Sequence, residues 1–290
     1  MIEPTDAVHA LARKTLGSVT VTSDATLPAH VMAFTDTRGR RYLAKRHTSR
    51  NRYAREIHAY THWVPALRDR APQLVASDHE HLVLLLTAVP GATADHVISG
   101  AEAERAAHQS AAYVLRQLHD STPPEYSHDM AVTLGQRTAH WVDRAGVLLN
   151  AGERRLLLDH AETIASSPVE VRFCHLDFQP RNWIVDDDGT VRLIDFEHAR
   201  PDSHIRDMAR LAHRYWPHQP DLYQAFVRGY GTYLSEEERT LLYHFGALEA
   251  ATALVRGRDT DDDALAMHGR AILDRLARHP TPSPTLWSNP

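Results

Sequence analysis

The chain has 290 residues, enough for one large domain or two lobes, because burial improves with size and cores tend to divide near this length. Its 32 Lys and Arg against 37 Asp and Glu leave a net charge of −5, too mild to select a polyanionic partner. A lone cysteine, Cys174, excludes an internal disulfide and every zinc pattern built on paired thiolates, and the 21 histidines are scattered rather than grouped as ligands.

The opening stretch, "MIEPTDAVHALARKTLG", is acidic at its start and lacks an apolar core, so it does not read as a secretory signal. Val8, Leu11, Ala12 and Leu16 fall along one face of a helix over 4–16. Three β-rich runs follow: "SVTVTS" (18–23), "AHVMAFTD" (29–36) and "RRYLAKRH" (40–47), the last two joined by a hairpin turn at "TRG". A polar helix over about 49–68 precedes two more strands, "QLVAS" (73–77) and "HLVLLLT" (81–87). Five strands and one interposed helix predict a small α+β lobe over 1–88. The apolar run "LVLLLTAV" (82–89) is far shorter than the roughly 20 residues that cross a bilayer. A cytoplasmic protein with no membrane, nucleic-acid or obligate protein partner is expected.

"VPG" at 89–91 breaks the strand pattern, since Pro cannot continue a central strand. Beyond it the periodicity is helical over 102–119, 135–165, 204–214, 219–233, 236–256 and 261–278, which predicts a larger, mostly helical lobe over 89–290. The Pro- and Ser-rich tail, "PTPSPTLWSNP", predicts little regular structure.

One stretch, "FCHLDFQPRNWIVDDDGTVRLIDFEHA" (173–199), interrupts the helices with carboxylates set between short apolar runs. Trp183 to Val185 and Val191 to Ile194 read as strands of a hairpin, turned at Asp188-Gly189. Asn182 then stands at the start of one strand and Asp195 at the end of the other, which brings both to one edge. Asp177 lies on the loop that enters the hairpin. Magnesium takes hard oxygen ligands and is commonly held by one or two protein groups plus substrate phosphates, which suits Asp195 and Asn182. Phosphoryl transfer also needs a group that orients and deprotonates the incoming hydroxyl, and Asp177 is the candidate. Asp186, Asp187 and Asp188 read as an ordinary solvated turn.

"HLDFQPRN" (175–182) and "LIDFEHA" (193–199) resemble the catalytic and metal-binding motifs of the aminoglycoside phosphotransferase and choline kinase superfamily, relatives of the protein kinases. The resemblance implies a bilobal kinase-like fold, a small lobe with a five-stranded antiparallel sheet and one main helix, and a larger helical lobe. It makes Asp177 the base, Asp195 and Asn182 the metal ligands, and His175 a structural brace. It also implies a strand lysine that meets the nucleotide phosphates and a helix glutamate that pairs with it, here Lys45 in "YLAKRH" and Glu56 in "RYAREIHAY", with Arg52 or Arg55 as further neighbours. "LLLTAVPG" resembles the family's hinge, so the Thr87 carbonyl and Val89 amide are candidates to meet the nucleobase. Asp207 in "RDMARL" stands where the family keeps an acid that ties down the catalytic loop.

The sequence departs from that pattern in three places. The loop between the first two strands, "TSDATLPAH" (22–30), has no glycine, which leaves backbone amides with the Ser23 and Thr26 hydroxyls to meet phosphate. Glu197 follows "DF" where protein kinases keep glycine. Gln179 replaces the lysine two positions after the base, and Arg181 is the remaining candidate to neutralise the transferring group.

These readings lead to an ATP- and Mg2+-dependent O-phosphotransferase acting on a small-molecule hydroxyl acceptor, an antibiotic or sugar-containing natural product; GTP is not excluded. A choline, ethanolamine or other small-alcohol kinase is the enzymatic alternative, and a nucleotide-binding pseudokinase is the non-catalytic one, motivated by the glycine-free loop. Acceptor specificity is expected from 125–165 and 213–270. There Asp259, Asp261, Asp262 and Asp263 offer either an acidic patch for a polycation or, the reading we favour, a helix cap. Trp141, Tyr215, Trp216, Tyr223, Tyr230 and Tyr233 offer either stacking surfaces or core.

Overall fold

Alternation of side chains along the third predicted strand explains how the first part of the chain is built. In the computed structural model, which describes residues 4–24, 26–279 and 287, the elements in chain order begin with α1 (Pro4–Leu16), β1 (Val19–Thr22), β2 (Val31–Asp36), β3 (Arg41–Arg46), α2 (Arg50–His62), β4 (Leu74–Asp78), β5 (Val83–Thr87), β6 (Ala92–Thr93) and α3 (Ala94–Val97). They continue with α4 (Ala101–His119), β7 (Glu125–Ser127), α5 (His128–Ala145), α6 (Ala151–Ser166), β8 (Val169–Cys174), β9 (Trp183–Val185), β10 (Val191–Leu193) and β11 (Arg200–Ser203). The last helices are α7 (Arg206–Arg214), α8 (Pro220–Tyr230), α9 (Glu236–His244), α10 (Gly246–Asp259) and α11 (Asp263–Arg278). The tail over 280–290, apart from Trp287, lies outside the described residues, as does Ala25 of the glycine-free loop. None of the described helices is long and apolar enough to cross a membrane.

The chain divides into two compact units, Met1–Ala103 with Pro180–Arg200, and Glu104–Gln179 with Pro201–Pro290. In the first, β1-β2-β3-β5-β4 form the five-stranded antiparallel sheet expected from the sequence. On β3, Tyr42 and Ala44 join Val8, Leu11 and Ala12 of α1, with Phe34, Val83 and Leu85, in one buried cluster. A strand has period 2, so Lys45 is turned to the opposite face, where it meets Glu56 of α2. Ser49 caps α2 by accepting the Arg52 amide, and the helix stops at His62, short of the expected 68. Pro65 sits at the head of a tighter 3-10 segment, Val64–Arg70, because it cannot donate to a continuing helix.

The hairpin of β9 and β10 belongs to this unit and gains a third strand, β6. That pairing needs Gly91, whose φ is +105°, and a Cβ there would meet the Val185 carbonyl oxygen at 2.2 Å. Gly91→Ala should therefore cost more than the about 1–3 kcal/mol of a strained φ alone, read as a lower urea midpoint.

The second unit is helical around a small sheet, β11-β8-β7, which the sequence reading missed: β7 and β11 span only three and four residues, although β8 alternates apolar with charged residues in the strand pattern. The helical run expected over 135–165 is two helices. Gly146, at φ 49°, ends α5, and Asn150 opens α6 with a capping box to Glu153. Trp216, Tyr223 and Tyr230 are core, whereas Tyr233 is exposed.

Two buried imidazoles report on the packing of this unit. Burial pushes His160 and His213 down to about 4; His160 Nδ1 lies 2.7 Å from His244 Nδ1, and His213 Nε2 donates to the Leu242 carbonyl at 2.9 Å. Their folded pKa values lie below the ordinary 6.5, so the unfolded chain binds more protons between those limits. The stability they confer is complete above pH 6.5 and is lost as pH falls towards 4. We expect a loss of about 2 kcal/mol per imidazole between pH 7 and pH 5, visible in urea titrations and smaller by about that amount in His213→Gln.

Candidate functional site

In the first unit a single ammonium organises the acidic groups. Lys45 Nζ lies 2.5 Å from Asp195 Oδ1, 2.9 Å from Glu56 Oε2 and 3.5 Å from Glu197 Oε2. Burial alone would push the Lys45 pKa down, but the Glu56 and Asp195 carboxylates outweigh it and hold the ammonium above its ordinary value. Glu56, fully buried, also bonds His47 Nε2 at 2.6 Å. Arg52 pairs with Glu197 at 3.0 Å rather than with Glu56, and Arg55 is exposed.

The hairpin brings Asn182 and Asp195 to the same end, because the Ile194 amide donates to the Asn182 carbonyl at 3.1 Å, one step beyond the Trp183 and Leu193 pair. Asp195 has φ 68° and ψ 65°, a left-handed backbone that costs a non-glycine residue energy, and its side chain is 32 % exposed. Asn182 is buried and Arg181, beside it, is exposed. Asp195 and Asn182 offer hard oxygen donors, the set that suits Mg2+. At the turn, Asp186 accepts from Asp188 and Thr190 amides and pairs with Arg192, as a turn residue would.

Thr87 ends β5 with its amide on the Gln73 carbonyl and its hydroxyl accepting the Gln73 amide, both at 2.9 Å. The Val89 amide makes no hydrogen bond among the described residues. Ser23 and Thr26 are exposed, and the Thr26 hydroxyl donates to Asp24 Oδ1 at 2.6 Å, with Asp24 also 3.4 Å from Arg41. The loop is thus closed by a carboxylate of its own.

Asp177 lies in the second unit, on the loop after β8. Asp207, at the start of α7, accepts the His175 amide at 2.8 Å and the Leu176 amide at 2.5 Å, and meets His119 Nε2 at 3.0 Å. That grip holds Leu176 at φ 62°. His119 Nδ1 in turn bonds the Tyr230 hydroxyl at 2.8 Å. Asp177 is buried, and its Oδ1 accepts from Gln179 Nε2 at 2.8 Å and from Arg210. The sequence reading missed Arg210 and His47. His47 had a signal, two positions beyond Lys45, whereas nothing local in the sequence marks Arg210, one turn beyond Asp207, as buried. The acidic run near the last helix serves as caps and ion pairs, with Asp262 accepting the Leu265 amide and Asp259 pairing with Arg144 and Arg258.

A model described as the phosphotransferase enzyme family matches residues 29–243. No curated protein sequence matches the chain. Among solved structures, it is similar to choline kinase LicA from Streptococcus pneumoniae, with 15% identity, TM-score 0.66, and coverage of 96% of this chain and 100% of that one. It is also similar to a thermostable mutant of aminoglycoside phosphotransferase APH(4)-Ia in ternary complex with ADP and hygromycin B, at 15% identity, TM-score 0.65, and coverage of 94% and 98%. Macrolide 2'-phosphotransferase MphH from Brachybacterium faecium follows at 15% identity, TM-score 0.62, and coverage of 93% and 97%. Likeness at this identity speaks to the fold, which is the kinase-like one the motifs implied.

Proposed function

The chain belongs to the phosphotransferase enzyme family, and we propose that it is an ATP- and Mg2+-dependent kinase that phosphorylates a hydroxyl of a small molecule, an antibiotic or sugar-containing natural product. The observation that carries this reading is Lys45, held at 2.5 Å from Asp195 and 2.9 Å from Glu56 in one buried cluster. An ammonium fixed between a helix carboxylate and a hairpin carboxylate is placed to meet phosphate oxygens, and Asp195 and Asn182 are the groups that would hold Mg2+. Bound there, the metal neutralises charge on the phosphates. Thr87 and Val89 are proposed to receive the nucleobase, Ser23 and Thr26 to flank the phosphates, and Arg181 to neutralise the moving group.

In the reaction the acceptor oxygen forms a bond to the γ-phosphorus, the bond from that phosphorus to the β–γ bridging oxygen breaks, and ADP leaves with the electron pair. The hydroxyl proton passes to Asp177. Two neighbours of similar score are an aminoglycoside phosphotransferase and a choline kinase, so an alcohol panel with coupled ADP detection is the test. Macrolides, aminoglycosides, nucleosides, choline and ethanolamine would each be offered with Mg·ATP. ADP release stimulated by one antibiotic or sugar-containing class supports the reading. Stimulation by choline or ethanolamine alone would shift it to the metabolic alternative, and nucleotide binding without any turnover would leave a pseudokinase.

A further inference from the structure

The proposed base does not stand alone on its loop. Arg210 of α7 contacts Asp177 Oδ1 through Nη1, the same oxygen that accepts from Gln179. On its other side Arg210 Nε lies 3.6 Å from Glu249 Oε2 of α10, and that oxygen is also 3.6 Å from Arg214 Nη2, one turn further along α7. The Asp177, Arg210 and Glu249 side chains are 5%, 15% and 14% exposed, so the chain of charges runs largely out of water. Burial disfavours the Arg210 cation, yet Glu249 and Asp177 raise its pKa above the ordinary value. Burial likewise disfavours the Glu249 carboxylate, and Arg210 and Arg214 lower its pKa below the ordinary one.

A guanidinium is planar and its donors point in fixed directions, so the Nη1 that meets Asp177 directs that carboxylate, while Glu249, at 3.6 Å and beyond hydrogen-bond distance, holds the cation in place by charge. We propose that Arg210, anchored by Glu249, is a positioning residue that keeps the Asp177 carboxylate in one orientation for taking the acceptor's proton. The inference rests on Asp177 being the base. The competing account is an ion pair that only stabilises the second unit.

The test uses phosphate release from Mg·ATP with water as acceptor, where water oxygen bonds to the γ-phosphorus, ADP departs and the water proton passes to Asp177. Arg210→Gln should lower kcat by about a hundredfold, the scale of a reacting group misplaced by about 1 Å, with KM for ATP changed by no more than about twofold. Arg210→Lys should regain part of that loss, since the ammonium keeps the charge without the fork. Glu249→Gln should fall between wild type and Arg210→Gln. Arg144→Gln, which breaks an exposed pair with Asp259, should match wild type. Wild-type kcat in Arg210→Gln overturns the proposal. So does a loss of kcat that Arg210→Lys leaves unrelieved and that follows the unfolding midpoint. Asp177→Asn separates the two levels: if it hydrolyses ATP at the wild-type rate, the base reading fails and the positioning role with it. If Asp177→Asn is inactive while Arg210→Gln is unaffected, only the positioning role fails.

Discussion

Asp177→Asn is expected to lower turnover by about a hundredfold or more while leaving Mg·ADP affinity near wild type. The physical reason is proton bookkeeping. An alcohol attacking phosphorus becomes strongly acidic as the new bond forms, and a carboxylate within reach accepts the proton that an amide cannot. The substitution is nearly isosteric, so an Asn oxygen still accepts from Arg210 and Gln179, and Arg210 keeps Glu249 as its second partner. The fold should therefore survive, with a small decrease in Tm. The measurement is kcat against the alcohol selected by the panel, beside calorimetry with Mg·ADP and a thermal melt. Equal losses in kcat and in nucleotide affinity would point to a distorted loop instead of a missing base, and unchanged kcat would remove Asp177 from the chemistry.

The parts of this protein that could be read from sequence are those in which interacting residues are near each other along the chain or follow a period. Asn182 and Asp195 sit at matched ends of a hairpin whose turn, Asp188-Gly189, announces itself, and Gly189 indeed has φ 80°. Lys45 and Glu56 are separated by a strand end and nearly two helix turns, with period 2 turning Lys45 away from the apolar cluster. Arg210 was illegible for the opposite reason. Its partners Asp177 and Glu249 are 33 and 39 positions distant, and a charged residue on an amphipathic helix looks like solvent-facing surface until the tertiary fold buries it. The same holds for Arg52, which resembles its basic neighbours on α2 yet reaches Glu197, 145 positions away. Helix limits failed where backbone conformation decides them. Apolar periodicity continues across 145–151, and only the positive φ of Gly146 shows that α5 stops there.

Lys45→Met should cause the second large effect, on stability and nucleotide affinity together. Met fills much of the stem volume but withdraws a cation that lies within 3.5 Å of all three of Glu56, Asp195 and Glu197, leaving the carboxylates less compensated. Removing one partner of a buried pair typically costs about 3–5 kcal/mol, because the remaining charge is uncompensated. His47 still bonds Glu56 at 2.6 Å and Arg52 still pairs with Glu197, so the low end of that range is expected in urea titrations. Mg·ATP affinity should fall about tenfold to a hundredfold, the scale of a lost hydrogen bond to a charged group. Stability and binding separate in the double variant Lys45→Met, Glu56→Gln. Neutralising the stranded carboxylate should restore part of the folding energy, since removing both partners costs less than removing one. It returns no ammonium to the phosphates, so affinity should stay low. Recovery of Mg·ATP affinity in the double variant would mean that Lys45 serves the fold alone, and native affinity in Lys45→Met would take the nucleotide site away from this cluster.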